Sequence, residues 1–344
     1  MNVNRKTIVK FVFFGVVLLA TGTFAAAQNL QLAELGDFKL ESAEIIRGCR
    51  VGYRTFGELA PDKSNAVVFL NGAGGTSEQA ATFVGPGKLL DNSRYYVILV
   101  DPLSNGVSSS PSNSKLQPRM KFPKITIADM VNSQHALLTR VLHLNHVKAI
   151  LGQSMGGMQT FQWMVNYPEF MDKAIPIVGT PRPASYDLVL YHAVIEAIKR
   201  DLAWNNGDYT TEPARRLRSA IAVLTLESPQ AVNQQVPREQ AEKVLEQFGQ
   251  LADANDQIRQ YEAGLALDIS SKFGNSMERA AAAVKAKVLV IVAAQDHSVS
   301  PGPALEFAKM LRAESIVLDS ECGHVVTACE TDKITAYVAK FLAN

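Results

Sequence analysis

Ser154 sits in Gly152-Gln153-Ser154-Met155-Gly156-Gly157, with a glycine two positions to either side. The apolar run VKAILGQ (147–153) leads into it. A helical repeat of Met158, Phe161, Met164 and Val165 leads out and stops near Asn166-Tyr167-Pro168. A G-x-S-x-G turn between a strand and a helix is the setting of a nucleophile elbow. The reason is steric. A serine lifted on a tight, strained turn leaves no room for bulk two residues before or after it, and Gly152 and Gly156 bring none. The turn also puts the hydroxyl at a helix N-terminus, where backbone dipoles favour developing negative charge. The plainer alternative is a glycine-rich connection whose serine merely caps the helix.

A lone serine hydroxyl is a weak nucleophile and needs a base held by a carboxylate. On this kind of turn the partners follow in the order serine, acid, histidine. Three histidines lie downstream: His192, His297 and His324. His324 comes just after the last strand run, in Cys322-Gly323-His324-Val325, and Asp296 closes the run KVLVIVAAQ. Ser154, Asp296 and His324 therefore stand in the required order, each at the C-terminal end of a strand. Asp319 is the rival acid, but it lies close before His324. His297 reads as a loop residue; His135, His143 and His146 precede the serine and fit a helix and a loop. An oxyanion hole needs two backbone N–H groups, one from the residue after the nucleophile and one from the loop after an early strand. Met155 fills the first place. Asn71-Gly72-Ala73-Gly74-Gly75 is the loop, with Gly72 or Ala73 as donor.

These residues need strands to hold them. Six short runs rich in Val and Ile read as buried strands: 66–72, 95–101, 147–153, 173–179, 287–294 and 315–319. Unbroken apolar strands separated by helices predict an α/β architecture, a mostly parallel sheet covered on both faces. Thr126 and Asp129 form a capping box for the helix before the third run. SNGVSSSPSNS (104–114) is a loop by composition. Between 181 and 280 the strand signal vanishes, and stretches such as AVIEAIKRDL (193–202) and QAEKVLEQFGQL (240–251) read as helices. The expected organisation is a core of 28–180 and 281–344 with a helical cap, 181–280, over the sheet's C-terminal edge, where ligands usually sit. Trp204, Asp208 and Tyr209 in that insertion are candidate pocket residues.

The chain has 344 residues, of which 47% are hydrophobic and 19% charged, which excludes collagen, coiled coil and a disordered chain. Residues 1–10 hold Arg5, Lys6 and Lys10, an apolar run from Phe11 to Phe24 follows, and then Ala25-Ala26-Ala27. A basic start, a short apolar run and small residues are the order of a secretory signal peptide, 1–27, cleaved after Ala27. The run is shorter than the roughly 20 residues a spanning helix needs, so the cleaved chain is expected in the periplasm or outside the cell with no stable membrane insertion. Formal net charge is +1, and without the three early cations 31 basic residues face 33 acidic ones. That balance exerts no pull on phosphate backbones and excludes nucleic acid as a partner. Export permits disulfides, and Cys322 and Cys329 are candidates for a bridge that leaves Cys49 over; three reduced thiols are the alternative. No cysteine and histidine spacing suits zinc, and no metal or cofactor is expected.

The motifs resemble the α/β-hydrolase superfamily and, more narrowly, the homoserine O-acetyltransferase group. The resemblance rests on GYRTFGEL (52–59), KSNAVV (63–68), VGPGK (84–88), FPKITIADMV (122–131), GQSMGGMQ (152–159), AIPIVGTPR (174–182) and WNNGDY (204–209). Beyond about residue 210 only the Asp296 and His324 motifs match. The resemblance implies the α/β-hydrolase fold, the same triad, an acyl-serine intermediate, and acetyl transfer from acetyl-CoA to a hydroxyl. Two features depart from it. An acidic residue commonly follows the histidine in that group, placed to meet the substrate amine; here Val325 follows. LNGAGG stands where the transferases usually have an LTG-type sequence. Acetyl-CoA is moreover an intracellular donor, whereas water is the acceptor available to an exported enzyme. The leading expectation is thus a secreted serine esterase acting on a small-molecule ester. An acetyl-CoA-dependent O-acetyltransferase and a non-catalytic binding protein on the same scaffold are the alternatives.

Overall fold

The computed structural model describes residues 29–247 and 252–344; the expected 1–27 signal segment lies outside the described residues. Eight strands are found among these residues: β1 (Gln31–Lys39), β2 (Ile45–Phe56), β3 (Ala66–Leu70), β4 (Tyr96–Val100), β5 (Val147–Gln153), β6 (Met171–Ile177), β7 (Lys287–Ala293) and β8 (Glu314–Leu318). They form one sheet in the order β1-β2-β4-β3-β5-β6-β7-β8. β1 pairs antiparallel with β2, and β2 with β4; every other neighbour pair is parallel.

The six runs expected as strands correspond to β3 through β8, and the structure adds β1 and β2. The difference has a physical reason. β3 is buried at every position, so its sequence AVVFL carries no polar interruption. β1 buries two of its nine residues and β2 carries three arginines, so neither makes an unbroken apolar run. Both sit at the antiparallel edge, where one face can stay wet.

Alternate side chains divide the core into two layers. Val68, Leu70, Ile98, Val100 and Ile150 point into one, packed against Phe161 and Trp163. Val67, Phe69, Val97, Leu99 and Leu151 point into the other, packed against Ile334 and Val338. This is the period-2 alternation of a strand covered on both faces.

The strand order reverses at β3: the chain moves from β3 outward to β4, then returns to the other side of β3 as β5. Such a switch point leaves a crevice beyond the strand C-termini. The loop after β3 and the turn after β5 both open into it. The helix Ile127–Ala136, which precedes β5, has the Thr126–Asp129 capping box on both sides. Between β6 and β7 the described residues contain helices and no strand, among them Ser185–Arg200, Arg215–Leu226 and Ala254–Leu265. Among the described residues no helix is long and apolar enough to cross a membrane.

Candidate active site

β5 ends at Gln153, Ser154 turns the chain, and the helix Met155–Asn166 begins at once. Ser154 has φ 57° and ψ −123°, a region that ordinary residues occupy only under constraint from their surroundings. Its N–H donates to the Ile177 carbonyl at 2.9 Å, which ties the turn to the end of β6. The flanking glycines are needed for space. A Cβ on Gly152 would stand 2.2 Å from the Gly156 carbonyl oxygen, and one on Gly156 would stand 2.0 Å from that of Leu70.

His324 lies in the short Gly323–Val325 turn beyond β8. Its Nε2 is 2.7 Å from Ser154 Oγ, and its Nδ1 is 2.7 Å from Asp296 Oδ2. The Asp296 carboxylate can only accept, so the imidazole proton belongs on Nδ1, and Nε2 is left to accept from the serine hydroxyl. Asp296 and His324 are 8% and 7% exposed, which keeps competing water off both contacts. Asp296 Oδ1 accepts from the Ser298 and Val299 N–H groups, at 2.8 Å each. The same loop is held further on: the Ser300 N–H and hydroxyl donate to Asp187 Oδ1 at 2.9 and 2.7 Å. Asp319 and His192 are exposed on the surface.

The loop after β3 lies against the serine. A Cβ on Gly72 would be 3.2 Å from Ser154 Cβ. The Gly75 N–H donates to the Gly72 carbonyl at 3.1 Å and closes a four-residue turn, with Gly74 in third place at φ 67°. A positive φ at that place is what a type II turn requires. The loop is pinned at both ends. Asn71 Nδ2 donates to the Val100 carbonyl at 2.9 Å. The Ser77 N–H and hydroxyl donate to the two oxygens of Asp101, at 2.6 Å each, and Asn105 Nδ2 bridges Asp101 to the Gly75 carbonyl. Burial pushes the Asp101 carboxyl above its usual range, against the donors that favour its charged form. Ala73 and Met155, whose N–H groups are the expected oxyanion donors, both line the space above Ser154.

A cavity of about 420 Å³ opens above Ser154. Gly72, Ala73, Met155 and His324 line it from the core, and Tyr191, Val194, Ile221, Leu226 and Gln260 line it from the helical 181–280 segment. Among the described residues no aspartate or glutamate lines it. Arg218 does, but its fully buried guanidinium is engaged by Gln257 at 2.7 Å, by Glu212 and by the Ala252 carbonyl. Burial, with the charges of Asp187 and Asp296 adding to it, pushes the Tyr191 phenol well above its ordinary value and keeps it neutral. A second depression of about 720 Å³ surrounds Lys287, Arg312 and Phe341 at the other end of β7, and none of the residues above belongs to it.

Three expected pocket residues are elsewhere. Trp204, Asp208 and Tyr209 do not line the cavity. Trp204 Nε1 donates to Asn255 Oδ1 at 2.9 Å, and the Tyr209 hydroxyl donates to Asp253 Oδ2 at 2.5 Å. Asp208 pairs with Arg119. Trp204 and Tyr209 seat the start of the Ala254–Leu265 helix, each ring half-buried and each polar tip bonded. The cavity residues supplied by the helical segment carry no motif, and only its amphipathic helices announce them. Cys322 and Cys329 are joined in a disulfide, and Cys49 is free and buried. Among the described residues no three His, Cys, Asp or Glu side chains cluster as metal ligands would.

A family model for the alpha/beta hydrolase fold matches residues 65–327. Ethyl acetate hydrolase of Pseudomonas veronii is 29% identical over 335 residues, 91% of this chain and 95% of that one. Homoserine O-acetyltransferase of Geotalea daltonii is 29% identical over 349 aligned positions, 89% of this chain and 95% of that one. Among solved structures, an acetylester hydrolase from Corynebacterium glutamicum superposes with a TM-score of 0.84 at 26% identity, covering 91% of this chain and 95% of that one. Fold, sequence and the setting of Ser154 agree: the chain belongs to the α/β-hydrolase superfamily, near the homoserine O-acetyltransferase group.

Proposed function

We propose that this protein hydrolyses uncharged carboxylic esters through an acyl-serine intermediate. The observation that carries the reading is the pair of 2.7 Å contacts linking Ser154, His324 and Asp296 at the floor of the cavity. His324 Nε2 takes the proton from Ser154 as Oγ bonds to the ester carbonyl carbon. The carbonyl oxygen becomes an oxyanion facing the Met155 N–H and an N–H of the Gly72–Ala73 pair. The bond to the alcohol oxygen then breaks, and the alcohol leaves with the proton from Nε2. Water gives a proton to Nε2 and attacks the acyl carbon. Ser154 regains its proton as the carboxylic acid departs. Asp296 orients the ring and stabilises its charged form throughout. The related ethyl acetate hydrolase and acetylester hydrolase support hydrolysis as the reaction.

The homoserine O-acetyltransferase relatives support a second reading, acetyl transfer to a hydroxyl. Against it stands the cavity wall. Val325 occupies it, and among the described residues no carboxylate lines the cavity to meet a substrate ammonium. An ester panel assayed with and without acetyl-CoA separates the two. Hydrolysis independent of acetyl-CoA is the expected result; release of free CoA only when a hydroxyl acceptor is added would establish transfer instead. In the same reading the 181–280 segment is a cap that selects the substrate. The basic and apolar N-terminal residues direct export, which mass determination of the N-terminus of the exported protein tests.

A further inference from the structure

The turn Gly72–Gly75 has two inner N–H groups, those of Ala73 and Gly74, that its own closing bond does not use. One of them is taken by the cap. Gln260, 3% exposed on the Ala254–Leu265 helix, accepts from the Gly74 N–H through Oε1 at 2.8 Å. Its Nε2 donates to the Leu103 carbonyl at 3.3 Å, so the carboxamide cannot rotate without breaking a second bond. The neighbouring stretch closes in as well: a Cβ on Gly74 would stand 3.2 Å from Ala252 Cβ. The Gly74 amide is therefore fixed by a residue almost two hundred positions away in sequence, on an element that belongs to the cap. Ala73, which carries the preceding N–H, lines the cavity beside Ser154.

We propose that Gln260 is a positioning residue for the oxyanion hole: by holding the Gly74 amide it aims the N–H of the preceding residue at the developing oxyanion. This rests on the acyl-serine reading above. The geometric demand is narrow. Donors help only where the oxyanion forms, and a loop free to swing loses that aim while still admitting substrate. A loop-aiming residue therefore acts on kcat and on tetrahedral-adduct affinity and spares KM.

The test compares the parent with Gln260→Met, which keeps the shape and loses both bonds, and Gln260→Ala. Turnover of p-nitrophenyl acetate is counted per site that a fluorophosphonate labels to completion, so unfolded chains do not enter. Inhibition by an alkyl trifluoromethyl ketone reports the tetrahedral adduct. The expected result is a kcat lower by about 10- to 100-fold, a ketone affinity lower by a similar factor, and a KM within about threefold of the parent's. The pH midpoint of kcat should not move, because His324 and Asp296 keep their contacts. An unchanged kcat in either variant that labels, or a loss expressed only in KM, overturns the proposal, as does labelling by neither variant where the parent labels. Failure of the acyl-serine reading has a different signature: Ser154→Ala would hydrolyse the ester as fast as the parent, and the parent would take neither the fluorophosphonate nor the ketone.

Discussion

Ser154 Oγ and His324 Nε2 stand 2.7 Å apart across 170 residues of chain. One comes from the end of β5 and the other from the turn beyond β8, so two parallel strands, β6 and β7, lie between the elements that deliver them. Replacing Ser154 with Ala removes the proposed nucleophile and nothing from the core. Turnover is expected to fall by several orders of magnitude while the melting temperature changes little. Steady-state hydrolysis and thermal melting check the two halves.

Asp296→Asn should be nearly as damaging. The amide can offer an N–H to His324 and so favour the wrong tautomer, leaving Nε2 protonated and unable to accept from the serine. A fall in kcat of about 10⁴ is expected at neutral pH, with KM near the parent's. Steady-state kinetics at pH 7 decides it.

Part of this arrangement is legible in the sequence and part is not, and the division follows burial. Strands covered on both faces write themselves as apolar runs, which is why β3 to β7 can be read; β8, mostly exposed at the sheet's edge, is read from its Ile-Val-Leu run instead. Gly152 and Gly156 announce the turn because a side chain at the first would strike the following helix and one at the second would strike β3. β1 and β2 leave no such mark. Neither does the 181–280 segment: Trp204 and Tyr209 look like pocket residues by type, yet their polar tips are spent on the Ala254–Leu265 helix. Gln260 has no motif at all, because its role depends on where a distant helix comes to rest.

Gly156→Ala tests the steric claim directly. The added methyl has nowhere to go but into the Leu70 carbonyl, and the expected destabilisation is at least about 3 kcal/mol. Gly302→Ala is the control: nothing lies within 4 Å of its added methyl, and its effect should stay within about 1 kcal/mol. Urea unfolding of the two variants beside the parent measures the contrast.

Asp256, on the Ala254–Leu265 helix, accepts from the Ser112 N–H at 2.9 Å and from the Ser112 hydroxyl at 2.5 Å. Burial pushes its carboxyl up to about 7, against the Ser112 bonds and with Asp253 and Glu212 adding to the rise. The folded chain thus keeps a proton that the unfolded chain gives up near the ordinary carboxyl value of 3.8. Its contribution to stability is complete below that value and is lost as pH rises through about 7. Asp256→Asn should flatten the decline in unfolding free energy between pH 5 and pH 8 by on the order of 2 kcal/mol. An equal decline in both proteins would remove Asp256 as its source.

The Cys322–Cys329 disulfide closes a short loop that carries His324. Changing both cysteines to serine should lower stability by roughly 2 kcal/mol, the loop-closure entropy of so small a ring. Turnover should fall with it, because the histidine's loop gains freedom. Melting and kinetics of the double variant, beside the parent with and without a reductant, test both effects.

Gly157 and Gly179 meet backbone to backbone: a Cβ on the first would stand 2.9 Å from the Cα of the second. This weld fixes the serine's helix to the end of β6 just where the chain departs into the 181–280 excursion. Its consequence concerns how such an enzyme can diversify. Recombination or random mutagenesis confined to the excursion can alter what enters the cavity while the hydroxyl, ring and carboxylate keep their spacing, whereas libraries that reach across the weld should return mostly inactive chains.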